Sequence, residues 1–315
     1  MYWSHTKLIL FISLIIFTFS CNPLEKKEGQ TYIVCTTGMI KDAVENIVGD
    51  KANIEALMGP GVDPHLYKAT QGDLKKLQQA DIIVYNGLFL EGKMGDVLQK
   101  LKRKKTVIAM AELLPDETYI NNTEFQGAFD PHIWFDVNLW KEAVQLLSEE
   151  LIKTDSLNQS LYNQNAKEFS IQLDSLHQAV QSQINLIPED KKVLVTAHDA
   201  FAYFGRAYDV DVRGLQGIST LSEFGLRDVS NLVDFIVQNE IPAIYTETSV
   251  SEKAIKAVLQ GCKSKGHDVI IGGSLYSDAM GEDDTFEGTY IGMVHSNVEK
   301  IVKGLTMDSN QMKNE

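Results

Sequence analysis

The sequence predicts an α/β protein: two halves, each a parallel sheet covered by helices, joined by one long helix. Three observations point there. Short apolar, β-branched runs alternate with amphipathic stretches from residue 31 onward, and the alternation starts afresh near residue 192. Between the two series, Leu161 to Ile187 contains neither Gly nor Pro. Strands that are apolar throughout suit parallel sheets buried on both faces.

In chain order, "TYIVCTT" (31–37), "NIEALM" (53–58), "DIIVYN" (81–86) and "TVIAMA" (106–111) are the expected strands of the first half. "MIKDAVENIV" and "TQGDLKKLQQA" between them carry helical periodicity. In the Gly- and Pro-free stretch, Phe169, Leu173, Leu176, Val180, Ile184 and Ile187 fall on one helix face, which Pro188 ends. A helix of that length is about 40 Å long at about 1.5 Å per residue. On pattern alone it either spans a two-lobed protein or packs within a single lobe. The second half offers "KVLVTA" (192–197), "DVRGLQ" (211–216), "PAIYTE" (242–247) and "DVIIGGSL" (268–275) as strands, with "LRDVSNLVDFIVQN" and "SEKAIKAVLQGC" as helices. The expected boundaries are an N-terminal lobe at 31–158, a linking helix at 159–188, a C-terminal lobe at 189–308 and a tail at 309–315.

The first twenty residues are expected to lie outside the fold. Leu8 to Phe19 is an apolar run behind Lys7, too short for a membrane span of roughly 20 residues and of signal-peptide type. It ends in "TFSC", which looks like a lipobox and implies cleavage before Cys21 and lipidation of its sulfur; an ordinary secreted protein is the plainer alternative. Residues 21–30 then read as a polar tether.

Removing residues 1–20 removes Lys7 and no acid, which lowers the formal charge from −14 by one, to −15. So acidic a surface excludes nucleic acid as a partner, because phosphates need Lys and Arg, and it attracts cations weakly. Cys35 and Cys262 have no paired spacing and read as free packing residues.

Asp-Pro-His occurs twice, in "GVDPHLY" (61–67) and "AFDPHIW" (128–134). His65, His132 and His198 all follow strands, and ligands of parallel α/β sheets bind beyond the carboxyl ends of strands. His177, His267 and His295 lie in helices or a turn and read as structural or solvated. Glu247 and Asp278 offer carboxylates at comparable strand ends. Three imidazoles with one or two carboxylates make a plausible cage for a divalent metal. Proline before His65 and His132 stiffens both loops. Asp63, Asp130 and Asp199 adjoin the histidines and could take a second ring N–H; turn formation or capping is equally open to Asp63 and Asp130. No compact metal motif is present, so a metal site and unconnected loop histidines both remain open from spacing.

Longer stretches narrow the choice. "GPGVDPHLYKATQGDLKKLQQADIIVYNGLFLEGKM" (59–94), "VLVTAHDAFAYFGRAYDVDVRGLQGISTLSEF" (193–224) and "IGGSLYSDAMGEDDTFEGTYIGMVHSNVEKIVKGL" (271–305) resemble the TroA-like metal-binding lipoproteins of bacterial ABC transporters. The likeness extends from about residue 31 to 305. It implies two α/β lobes joined by one backbone helix, with the metal held between them by His65, His132, His198 and Asp278. It also implies an extracytoplasmic lipoprotein, expected to be a monomer, that hands zinc or manganese to a membrane permease driven by a cytoplasmic ATPase. Manganese- and iron-selective members tend to carry Glu where this chain has His198, and three imidazoles suit zinc. Zinc-specific members often carry a His-rich loop before the second ligand; residues 115–131 are short and contain no histidine until His132. Zinc is the expected preference on the donor set. Two other classes compete: a zinc hydrolase with Glu247 or Asp199 as general base, and a cell-adhesion protein stabilised by a metal. A fourth protein ligand argues against the hydrolase, and the expectation is that the chain is not an enzyme.

Overall fold

A computed structural model describes residues 30–121 and 127–306. The expected signal peptide, Cys21, the tether up to residue 29 and the tail lie outside the described residues.

The first half is a four-stranded parallel sheet of order β2-β1-β3-β4, with β1 at Thr31–Cys35, β2 at Ala52–Ala56, β3 at Ile82–Tyr85 and β4 at Thr106–Ala109. Alternation along each strand explains why these runs read as continuously apolar. Ile33 and Cys35 of β1 join one buried cluster, while Tyr32 and Val34 join another on the opposite face. Ile82 and Val84 of β3 divide from Ile83 and Tyr85 in the same way. Helix α1 (Gly38–Val48) covers the first face, and α2 (Gln71–Gln79) and α3 (Gly95–Lys102) contribute Leu77 and Leu98 to the second. A capping box starts α2: Thr70 accepts from Asp73 N, and the Asp73 carboxylate accepts from Thr70 N.

Helices α4 (Val137–Thr154) and α5 (Gln159–Ile184) follow. The α5 stripe Tyr162, Ala166, Phe169, Leu173, Leu176, Val180 and Ile184 is buried. It packs on α1 and α4, and also on α9 (Tyr290–Thr306) from the end of the chain. Thus α5 touches helices of both halves.

The second half pairs β5 (Val193–His198) with β6 (Asp211–Gln216), and β7 (Ala243–Glu247) with β8 (Ile270–Leu275), all parallel; β5 lies alongside β7. Helices α6 (Ala202–Tyr208), α7 (Leu226–Gln238) and α8 (Lys253–Ser264) complete it. All eight strands fall where the sequence predicts them, with ends shifted by at most a few residues. Cys35 and Cys262 are buried free thiols. The largest apolar cluster draws on both halves, from Ile33 through the α5 stripe to Leu305, so the halves share a core.

Candidate metal centre

Both Asp-Pro-His loops fold by the same local rule. After β2, Gly61 takes φ +69° and lets the chain turn tightly. The Asp63 carboxylate then accepts from the backbone N–H of His65 at 2.8 Å and of Leu66 at 3.3 Å. In the second copy, Asp130 Oδ1 accepts from His132 N at 2.9 Å. Each aspartate closes an Asx turn over a proline whose φ is already fixed, so the following histidine is aimed at little entropic cost.

The copies then diverge. Asp130 Oδ1 also lies 2.7 Å from His132 Nδ1, which leaves Nε2 of that ring as the free donor atom. Asp63 makes no such ring contact; its second oxygen accepts from Thr220 Oγ1 at 2.7 Å. Of the two roles open to Asp63 from sequence, ring partner or turn former, its contacts are those of the turn: backbone N–H groups, with the Thr220 hydroxyl on the other oxygen.

His198 is the last residue of β5. Its backbone N–H donates to Glu247 Oε1 at 2.8 Å, and its Nδ1 lies 2.5 Å from Glu247 Oε2. Glu247 ends β7, so two adjacent strand ends supply the ring and the carboxylate that orients it. Gly214 on β6 permits this packing: a Cβ there would lie 2.5 Å from Asp199 N, immediately after His198. Asp199 uses its backbone N–H on Gln216 O and is not among the four residues whose donor atoms converge.

Asp278 follows β8 and closes the set. Its Oδ1 is 3.4 Å from His132 Nε2, and its Oδ2 is 3.3 Å from His198 Nε2 and 3.8 Å from His65 Nε2. His65 Nε2 and His132 Nε2 are 3.3 Å apart. Four donor atoms, from His65, His132, His198 and Asp278, lie within 4.8 Å of one another, all on buried residues. A tetrahedral ion with bonds of about 2.0–2.1 Å requires donors about 3.3–3.4 Å apart. The His65–His132 separation and one contact of each Asp278 oxygen meet that value, while the four donors as a set lie within 4.8 Å of one another. Both Asp278 oxygens and His198 Nε2 lack a hydrogen-bond partner among the described residues although they are buried. Buried polar atoms left so are unfavourable unless a cation fills the space between them.

Trp134, two residues past His132, braces the centre. Its ring meets the His132 ring edge-on at 5.2 Å, and its Nε1 donates to Ser277 O at 3.0 Å, beside Asp278. Sequence reasoning missed this link, for which an indole so close to a candidate ligand was the available sign. The other histidines among the described residues are structural: His177 lies beside Tyr208 Oη and Asn138 Nδ2, His267 beside Ile241 O, and His295 stacks on Phe286.

Burial pushes the His65 imidazole down to about 3 and keeps it neutral. Burial acts likewise on His132, but Asp130 and Asp278 outweigh it and push the ring up to about 9. His198 is raised well above the ordinary histidine value: burial opposes its protonation, and Glu247 and Asp278 overcome that. For Asp278 burial favours the neutral acid, yet His198 and His132 hold it well below the usual carboxylate range. Ligation needs neutral imidazoles, so a cation entering near pH 7 must expel protons. The raised His132 stabilises the metal-free fold below about 6.5 and loses that contribution as pH rises through about 9; metal affinity is expected to rise over the same window. Zinc-binding heats at pH 7 should therefore scale with buffer ionisation enthalpy. A heat independent of buffer would show that no proton leaves.

The family model described as zinc-uptake complex component A, periplasmic (ZnuA), matches residues 33–304. The chain is 51% identical over 278 residues to the manganese-binding lipoprotein MntA of Bacillus subtilis, covering 88% of this chain and 90% of that one. It is 46% identical over 278 residues to the zinc-binding protein TroA of Treponema pallidum, with the same coverage of each. The solved structure of that periplasmic zinc-binding TroA superposes with a TM-score of 0.86, covering 89% of this chain and all of that one. The resemblance carried by the two Asp-Pro-His loops and the later stretches thus holds across the fold, and the chain belongs to the ZnuA family of periplasmic zinc-uptake components.

Proposed function

We propose that this protein is the extracytoplasmic substrate-binding component of a metal ABC transporter. It captures one divalent cation through His65, His132, His198 and Asp278 and delivers it to a membrane permease served by a cytoplasmic ATPase. The observation that carries this reading is the convergence of four buried donor atoms from one strand end and three separate loops. The shortest donor separations, near 3.3 Å, suit a small tetrahedral ion, and three imidazoles with one carboxylate suit zinc by softness. Zinc is accordingly the preferred cargo in this reading and manganese the alternative, the two relatives above being named for one metal each.

Four protein donors leave no position for an activated water, which supports capture over hydrolysis. Asp130 and Glu247 orient His132 and His198 through Nδ1 and present Nε2 to the ion. A lipid on Cys21 and a monomeric state complete the proposal; among the described residues no helix is long and apolar enough to cross a membrane. In cells lacking this chain, uptake of radioactive zinc should fall and be restored by the wild-type chain but not by His132→Ala. Restoration by His132→Ala would remove the site from transport.

A further inference from the structure

The four candidate ligands are not held alike. His132 and His198 are each backed at Nδ1 by a buried carboxylate, Asp130 and Glu247. Among the described residues, His65 pairs with no carboxylate except Asp278. His65 also lines an apolar cavity of about 470 Å³, together with Phe89, Phe129, Ile218 and Leu221. What fixes His65 is its backbone, through Asp63, and Asp63 reaches across to the second half of the chain. One carboxylate oxygen holds His65 N and Leu66 N, and the other accepts the Thr220 hydroxyl.

Thr220 belongs to the loop 217–225 between β6 and α7. Gln216 Nε2, at the end of β6, donates to the carbonyls of both Thr220 and Ser222 and folds the loop back on its own strand. Ile218 and Leu221 of the same loop form the cavity wall facing Phe89 and Phe129. The loop, the cavity and the least-anchored ligand are thus connected through a single half-buried hydrogen bond.

We propose that the Asp63–Thr220 hydrogen bond is a latch across the cleft: it couples loop 217–225 to His65 and so sets how fast the bound cation leaves, with His65 the first ligand to detach. Asp63 and Thr220 are positioning residues here and touch no metal. The inference rests on the metal-site reading above. While the latch is closed, the Asx turn at Asp63 keeps the His65 ring over Asp278. When the loop swings outward, Asp63 loses a partner on one oxygen, the turn loosens and the Nε2 donor withdraws toward the cavity. His132 is backed by Asp130, and His198 is held by Glu247 and by its place in the β5–β6 ladder opposite Gln216, so both rings stay with the sheet when Thr220 moves.

The test is a dissociation rate. The purified full chain is loaded with Zn²⁺ and mixed rapidly with excess chromogenic chelator; wild type, Thr220→Val, Thr220→Ser and His65→Ala are compared. Val keeps the shape of Thr and removes the hydroxyl. A hydrogen bond to a charged group has a strength that translates to about tenfold or more in rate, so Thr220→Val should release zinc about tenfold faster. Thr220→Ser should restore the wild-type rate, and the melting temperature of metal-free Thr220→Val should fall by no more than the few degrees that one hydrogen bond supplies. A wild-type rate in Thr220→Val, or a Thr220→Ser rate no slower than that of Thr220→Val, overturns the latch. His65→Ala separates the two levels: if it binds zinc as wild type does, the metal-site reading itself fails. If it loses zinc while Thr220→Val releases at the wild-type rate, only the latch fails.

Discussion

Asp278→Ala is expected to weaken zinc binding by roughly two to three decades, since removing one partner from a buried charged set costs about 3–5 kcal/mol. Asp278 is the only anion among the four donors and lies within 3.8 Å of every imidazole Nε2. Its loss leaves three neutral rings to hold a dication in a buried space. The size of the effect should depend on pH, with a definite sign. In the metal-free wild type Asp278 helps to keep His132 and His198 protonated, so it also strengthens the protons that compete with the metal. Below about 9 its removal relaxes that competition and offsets part of the loss; above about 9 the full loss appears. Competition against a chelator of known affinity at pH 7 and at pH 9.5 checks both statements. Asp278→Asn, which keeps an oxygen donor without the charge, should fall between wild type and Asp278→Ala. Equal affinity for Asp278→Ala and wild type at both pH values would remove Asp278 from the site.

The largest stability effect is expected at Trp134. It is fully buried, meets the His132 ring edge-on, donates to Ser277 O and accepts the Tyr290 hydroxyl at its carbonyl at 2.7 Å. These contacts join the loop after β4 to the loop after β8 and to the start of α9. Trp134→Ala should cost about 3–5 kcal/mol, mostly through the cavity it leaves, and lower Tm by about 6–12 °C. Trp134→Phe keeps most of the ring and removes the indole N–H, at about 1–3 kcal/mol for the unpaired Ser277 carbonyl. Thermal melts of the metal-free variants measure both. A Trp134→Ala variant melting within about 2 °C of wild type would contradict this account of the packing.

The central strands β1 and β3 were legible because their burial is two-sided. β1 sends Ile33 and Cys35 to one cluster and Tyr32 and Val34 to the other, so no polar residue interrupts the run. The α5 stripe was legible for a related reason: its buried residues recur at steps of three and four without a breaker. The helix itself stops at Ile184, and a further turn carries the chain to Ile187 before Pro188. The candidate ligands could be gathered from strand ends, since chemistry in parallel sheets collects there.

What local sequence could not assign was the role of each neighbouring carboxylate. Asp63 and Asp130 sit in the same tripeptide and close the same turn, yet one reaches a distant threonine and the other its own histidine's ring. The difference comes from Thr220, far along the chain, and no pattern within the Asp-Pro-His motif encodes it. Glu247 shows the same limit: it meets His198 only because β5 and β7 lie side by side.

The most direct test of the metal clamp is a count of bound metal. The chelator-stripped chain is offered zinc and manganese together at matched free concentrations, and each is measured by elemental analysis beside His65→Ala. The expected result is one zinc per chain, with manganese excluded and no zinc on His65→Ala. Manganese in place of zinc would contradict the tetrahedral assignment, and an absence of metal, or full zinc on His65→Ala, would contradict the clamp.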